Sequence, residues 1–200
     1  MLAPVYNLAA LPLARVRDRV VQFSGAGPGD VVLDVATGTG QQAFAFARGG
    51  CDVTAVDLTE SMLAVARKNR LAGLVKFEAA DATRLRFEAD RFDVTCISFA
   101  LHDMPLRIRE GVMREMRRVT KPDGAIVIVD YDLPRSRLGR RLIHFLIGLY
   151  EGKYYREFIS SDLDSLLEDT GIRAVAKTSV LMGAGRILKA ARLAAGQKHR

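Results

Sequence analysis

The stretch Val31-Val32-Leu33-Asp34-Val35-Ala36-Thr37-Gly38-Thr39-Gly40-Gln41-Gln42-Ala43 decides the fold. A short apolar run passes without alternation into closely spaced glycines and then into residues that favour a helix. An unbroken apolar run suits a strand covered on both faces, and a buried parallel strand feeding a helix is the repeating unit of an α/β sheet. The glycines supply positive φ and let a ligand approach the main chain, while the free N–H groups opening the next helix give it a polar edge. Gly38-x-Gly40-x-x-Ala43 also satisfies the loose fingerprint of a dinucleotide site. Asp34 weighs against that ligand, because a carboxylate inside the strand and ahead of the glycines would repel a pyrophosphate. It suits a ligand that brings positive charge.

Composition bounds what the loop can belong to. The 200 residues are 49% hydrophobic, which excludes a disordered chain and predicts one domain spanning 1–200 with a sizeable core. Two cysteines cannot build a disulfide framework, and Cys96 lies in an apolar run, so a reduced cytoplasmic protein is expected. Pro4 and Pro12 interrupt the apolar amino terminus, and its positive charges follow the apolar part, the wrong order for a secretory signal. No apolar run approaches the roughly 18 residues of a membrane span. The net charge of +7 would favour anionic partners, yet no basic stretch is interleaved with stacking aromatics, so no nucleic-acid partner is expected.

Outward from the loop, strands and helices alternate. Tyr6, Val16, Val20 and Phe23 suit an amphipathic leading helix, followed by a loop over residues 24–30. Gln41 to Arg48 predicts a helix closed by Gly49-Gly50, and Asp52 to Asp57 the second strand. Asp57 ends that strand where such folds bind a ribose, and an ionised carboxylate has two acceptor oxygens to match a vicinal diol. Thr59 is the expected cap of the next helix, beginning near Ser61. Val75 to Ala79 is a third strand, leading to Asp81-Ala82, and Phe92 to Ser98 a fourth, leading to Phe99-Ala100-Leu101-His102-Asp103. The helix from Leu106 to Thr120 is expected to bury Ile108, Val112, Met116 and Val119 and to expose its arginines. Lys121-Pro122-Asp123-Gly124 then turns into a fifth strand, Ala125 to Asp130. Asp162 to Thr170 predicts a helix capped by Gly171, and Ile172 to Leu181 with Arg186 to Arg192 a closing hairpin. The expected fold is therefore a doubly wound, mostly parallel seven-stranded sheet with an antiparallel carboxyl-terminal hairpin and helices on both faces.

Leu33 to Gly40, with Asp57, Asp81 and the Lys-Pro-Asp-Gly turn in order, resembles the Rossmann-like (class I) S-adenosylmethionine-dependent methyltransferases, and most of all the branch that makes ubiquinone and menaquinone. Ala36 stands where many members have glycine, and Asp123 where the turn usually has its first glycine. The resemblance implies S-adenosyl-L-methionine as donor, held by Asp34, Ala36, Thr37, Gly38, Gly40, Asp57, Leu58, Met62, Asp81, Ala82 and Ser98. Asp81 and Ala82 would meet the adenine. It further implies that residues 1–24 form a lid with Tyr6 over the ligand, and that an insertion over 132–160 builds the substrate wall. His102, Asp103, Tyr154 and Tyr155 join Tyr6 as substrate-facing candidates.

If the acceptor is a carbon or oxygen acid, a base is required, and His102 and Tyr154 lead the candidates. Base-amine methyltransferases commonly carry Asn or Asp, then Pro-Pro and an aromatic, where Ser98-Phe99-Ala100-Leu101 stands here. The segment Leu138 to Phe158 is apolar around most of its circumference and flanked by Arg140, Arg141, Lys153 and Arg156, which suits a lipid-like acceptor, a peripheral membrane contact or a homodimer face, with plain core packing the equal alternative. A non-catalytic binder of an adenosyl nucleoside and a nicotinamide-dependent oxidoreductase remain the alternative readings.

Overall fold

The computed structural model describes residues 10–132 and 154–193. Tyr6 and the greater part of the 132–160 segment lie outside the described residues. The elements run α1 (Ala10–Ser24), β1 (Val31–Val35), α2 (Gln41–Arg48), β2 (Asp52–Asp57), α3 (Glu60–Ala66), β3 (Val75–Ala79) and β4 (Phe92–Ser98). They continue with α4 (Leu106–Val119), β5 (Thr120–Tyr131), α5 (Tyr155–Ser160), α6 (Leu163–Asp169), β6 (Ile172–Val180) and β7 (Gly185–Arg192).

The strands form one seven-stranded sheet in the order β3-β2-β1-β4-β5-β7-β6. The pairs among β1 to β5 are parallel, with Val32 beside Val53 on one edge of β1 and Val94 on the other. β7 runs antiparallel between β5 and β6, as the closing hairpin requires. Alternation along the buried strands builds two apolar layers. Leu33, Val35, Ile97 and Ile128 face α4 and α6 through Val112, Met113, Met116 and Leu167. Val32, Val53, Cys96 and Val127 face α1 and α2 through Val16, Val20, Phe44 and Phe46. Asp34, two residues from Val32, shares this second face. β6 is an edge strand whose residues 173–177 are all exposed.

The fifth strand begins earlier than the sequence pattern indicates. It takes in the turn, so that Thr120 pairs with Phe92 and the register shifts before Val94 meets Ala125. Asp93 fills the irregularity: one oxygen accepts the Val31 N–H at 2.9 Å and the other the Lys121 ammonium at 2.6 Å. The two hydrogen bonds hold its carboxyl below the usual range against the opposing effect of burial. Gly124 is required here, because an added Cβ would lie 2.7 Å from the Asp93 carbonyl and 2.8 Å from the Thr120 methyl. We expect Gly124→Ala to lower stability by about 1–3 kcal/mol through overpacking against backbone. Thermal unfolding checks this, since a neutral substitution would leave the melting temperature unmoved.

Candidate functional site

Parallel strands present their carboxyl ends at one edge, and the residues following β1, β2, β3, β4 and β5 converge there. The centre is the turn after β1. Ala36, Gly38 and Gly40 have φ of +53°, +55° and +79°, the left-handed region. A Cβ on Gly38 would meet nothing within 4 Å, so its face is open to a ligand, whereas one on Gly40 would press on Phe77 and Phe44 at 3.0–3.1 Å. Ala36 adopts the same backbone without glycine's freedom, at a cost of roughly 1–2 kcal/mol.

Asp57 holds this turn. Its Oδ2 accepts the Gly38 N–H at 2.7 Å and its Oδ1 the Thr59 N–H at 2.8 Å. Each oxygen keeps a further lone pair, so the carboxylate is oriented with acceptor capacity in reserve. Thr59 is the residue before α3 but its side chain caps nothing, contrary to the sequence expectation. Leu58 and Met62 lie beside it, 76% and 45% exposed, and offer uncovered apolar surface. Asp81, after β3, is exposed and accepts both the N–H and the hydroxyl of Thr83 at 2.8 and 2.7 Å, which holds its carboxyl below the ordinary range. Ala82 is half-buried, as is Ser98, whose hydroxyl lies 3.5 Å from the Cys96 thiol.

Asp34 is 1% exposed. Its Oδ2 accepts the Thr37 hydroxyl at 2.5 Å, while its buried Oδ1 has no hydrogen-bond partner. Burial drives its carboxyl up to about 7; the nearby Asp57 charge pushes the same way, and the Thr37 hydrogen bond, the neighbouring Ala43 backbone N–H and Arg17 oppose it. An orphaned buried oxygen at the head of an open glycine turn fits a cationic ligand. The residues present therefore fit the implied donor, with Asp34 toward its positive end and Asp57 toward a ribose diol.

A second cluster closes the edge between β4 and β5. His102 lies in a tight turn, Leu101–Asp103, and is 3% exposed. Its Nδ1 is 2.7 Å from Asp130 Oδ1, and its backbone N–H donates to Asp130 Oδ2 at 3.3 Å. The Tyr131 N–H donates to the same carboxylate at 2.8 Å. An ionised carboxylate only accepts, so this arrangement puts the proton on Nδ1 and leaves Nε2 the basic nitrogen; Asp103 Oδ2 lies 3.7 Å from it. The Tyr131 ring stands 4.7 Å from the imidazole, and the buried Tyr155 ring 6.5 Å away. Tyr154 is half-buried, and its carbonyl oxygen accepts from Arg109.

Two members of this cluster escape a reading of the sequence. Asp130 ends an apolar strand just as Asp34 sits within one, and that repeated signal is its only trace. Arg109 is fully buried, although its helix reads as exposing its arginines, and Ile108, expected inside, is 38% exposed. The inward stripe is Arg109, Val112, Met113, Met116 and Val119. Shifting the stripe by one residue from Ile108 keeps the i, i+3, i+4 pattern and admits the arginine.

The sheet order and the glycine turn at the carboxyl end of β1 define a Rossmann-like fold. Residues 32–124 match the family of the methyltransferase domain. The chain is 45% identical over 115 residues to a demethylmenaquinone methyltransferase of Clavibacter sepedonicus, covering 56% of this chain and 46% of that protein. It is 39% identical over 119 residues to a ubiquinone/menaquinone biosynthesis C-methyltransferase of Bdellovibrio bacteriovorus, covering 58% and 50%. The chain spans about half the length of the curated relatives it matches. In fold it is similar to the magnesium protoporphyrin IX methyltransferase of Synechocystis PCC 6803, solved with bound SAH, at a TM-score of 0.69 and 22% identity over 91% of this chain and 84% of that one.

Two outcomes follow from the carboxylates. The folded chain raises the Asp34 carboxyl from 3.8 to about 7, so it favours the protonated form, and the stability this gives is lost as pH rises from about 4 to 7. A cationic donor needs the ionised form, so its affinity should rise with pH, roughly eightfold from pH 6 to 7.5. Calorimetric titration of S-adenosylmethionine in Asp34→Asn should show weaker binding without that slope, in a chain that melts no lower near pH 7. Asp57→Ala should weaken the same binding by about 2–4 kcal/mol, since charged hydrogen bonds are lost to the donor and the Gly38 N–H is released. Unchanged affinity would mean that the ribose lies elsewhere.

Proposed function

We propose that this protein transfers a methyl group from S-adenosyl-L-methionine to a small, hydrophobic, lipid-like acceptor carrying an acidic O–H or C–H. The observation that carries the reading is the buried Asp34, one oxygen of which accepts the Thr37 hydroxyl of the glycine turn while the other has no hydrogen-bond partner. A nicotinamide dinucleotide would place its pyrophosphate against that carboxylate, which disfavours the oxidoreductase alternative.

The donor supplies an activated methyl group, so the chain's task is to hold the acceptor close, aligned and dry. Asp57, Leu58, Met62, Asp81, Ala82 and Ser98 bind the nucleoside part, and Asp34, Ala36, Thr37, Gly38 and Gly40 the amino-acid part. His102 accepts the acceptor's proton at Nε2, while Asp130 holds Nδ1–H and stabilises the imidazolium that forms. Tyr6, Asp103, Tyr154 and Tyr155 border the acceptor.

The lipid-like acceptor is supported by the apolar segment 138–158 in the sequence and by the quinone methyltransferase relatives. The same reading gives a cytoplasmic protein that touches the membrane peripherally and pairs as a homodimer. No helix among the described residues is long and apolar enough to cross a membrane.

The test supplies methyl-labelled donor with a short-chain demethylmenaquinol and follows label into the organic phase. His102→Ala should slow transfer by about 10²–10⁴-fold while donor affinity stays within twofold. Tight nucleoside binding with no transfer to this or any extracted lipid would favour the non-catalytic binder. An undiminished rate in the variant would remove His102 from the chemistry.

A further inference from the structure

Arg109 is among the largest fully buried side chains of the described residues and is not one of those proposed to hold the donor. A guanidinium out of water costs several kcal/mol that an apolar side chain of similar volume would not incur. Its neighbours in the α4 stripe, Val112, Met113 and Met116, show what packing alone would select. Its position must serve something packing does not.

Its partners come from two separate segments. Nε donates to the Leu101 carbonyl at 3.0 Å, in the turn that carries His102. Nη2 donates to the Tyr154 carbonyl at 3.3 Å, immediately before α5. Nη1 makes no hydrogen bond and lies 3.5 Å from Glu157 Oε1, also on α5. The guanidinium stands over the Phe158 ring at 5.1 Å, and that ring lies 6.4 Å from the imidazole of His102. The planar fork thus reaches the His102 turn with one arm and the start of α5 with another, a span that a point charge on a flexible stem would not fix.

We propose that Arg109 is a positioning residue, a buried fork that ties the Leu101–Asp103 turn to the start of α5 and thereby sets the direction of the His102 ring. Asp130 fixes the ring at Nδ1, and Arg109 fixes the turn from which the ring projects. The proposal deepens the reading of His102 as base, yet its central measurement needs no acceptor and no turnover. Among the described residues, the groups near His102 include Asp130 and Tyr131 from β5, Asp103 from its own turn, and Tyr155 and Phe158 from α5; Arg109, Glu157 and Arg186 lie beyond, against the His102 turn and Phe158.

The experiment compares the full chain with Arg109→Met and Arg109→Lys by thermal unfolding and by nitrogen NMR of the imidazoles, assigned with His102→Gln. Arg109→Met fills the volume without the fork. It should melt within a few degrees of the parent, yet the His102 ring signals should move and its titration should shift upward, because the buried Arg109 cation, whose charge reaches the Asp130 that holds the ring, is gone. Arg109→Lys should shift the ring signals less. Donor affinity should stay within twofold in both. Where transfer is measurable, kcat should fall about tenfold or more with the KM for donor unchanged.

His102 signals and titration identical to the parent in a folded Arg109→Met protein would overturn the proposal and leave Arg109 a packing residue. Should Arg109→Met fail to fold, Arg109→Lys decides by the same signals, and an unmoved imidazole there overturns it equally. Loss of methyl transfer in every sample, parent included, would count against the proposed activity, while the imidazole signals would still decide the role of Arg109.

Discussion

β1 must be hydrogen-bonded on both edges and covered on both faces, and almost everything else follows from meeting that demand. A central parallel strand cannot return to its neighbour by a tight turn, so its crossovers pass over a face of the sheet, as α2, α3 and α4 do after β1, β2 and β4. The helices cover the two faces, and every strand of the parallel half ends at the same edge. The open glycine turn is therefore beside Asp57, Asp81, Ser98 and His102 as a consequence of topology. The bond from the Gly38 N–H to Asp57 then converts that proximity into a fixed shape.

What the sequence shows plainly is whatever periodicity controls. Val31 to Val35, Phe92 to Ser98 and the closing hairpin are legible because their burial follows alternation or unbroken apolarity. The α4 phase is not, since Ile108 and Arg109 both fit a helical stripe and polarity argues for the wrong one. Only the acceptors waiting at Leu101 and Tyr154 make the arginine the better choice, and those come from residues 8 and 45 positions distant. Thr59 stands where a cap is expected, but the Met62 N–H that its hydroxyl would receive donates to the Thr59 carbonyl instead. The roles of Asp34 and Asp57 rest on strand-end placement, which pattern can locate; the pairing of His102 with Asp130 crosses 28 residues and leaves no local mark.

The site also concentrates ionisable groups where burial is costly. Asp34, Asp130, His102 and Arg109 are all nearly or fully buried at the edge where a ligand is expected. A chain selected only for stability would replace them with neutral or apolar residues of similar volume, asparagine for Asp34 and methionine for Arg109. Their presence marks the edge as the place where stability yields to chemistry, independently of any likeness to other proteins.

The exposed edge strand β6 has its own consequence for self-association. A second copy adding to this edge would meet Arg173 and Lys177 on either side of a register irregularity between Ala174 and Ala176, which itself interrupts a regular pairing. Lys177 already holds Asp132 at 3.0 Å, which neutralises its charge only in part. Like charges opposed across a strand pair are unfavourable, and positively charged residues on an edge are a common guard against sheet-to-sheet addition. The nine-residue strand that would otherwise be the readiest template for a continuous intermolecular sheet is thus protected by its own side chains, and any pairing of two copies is directed to another face.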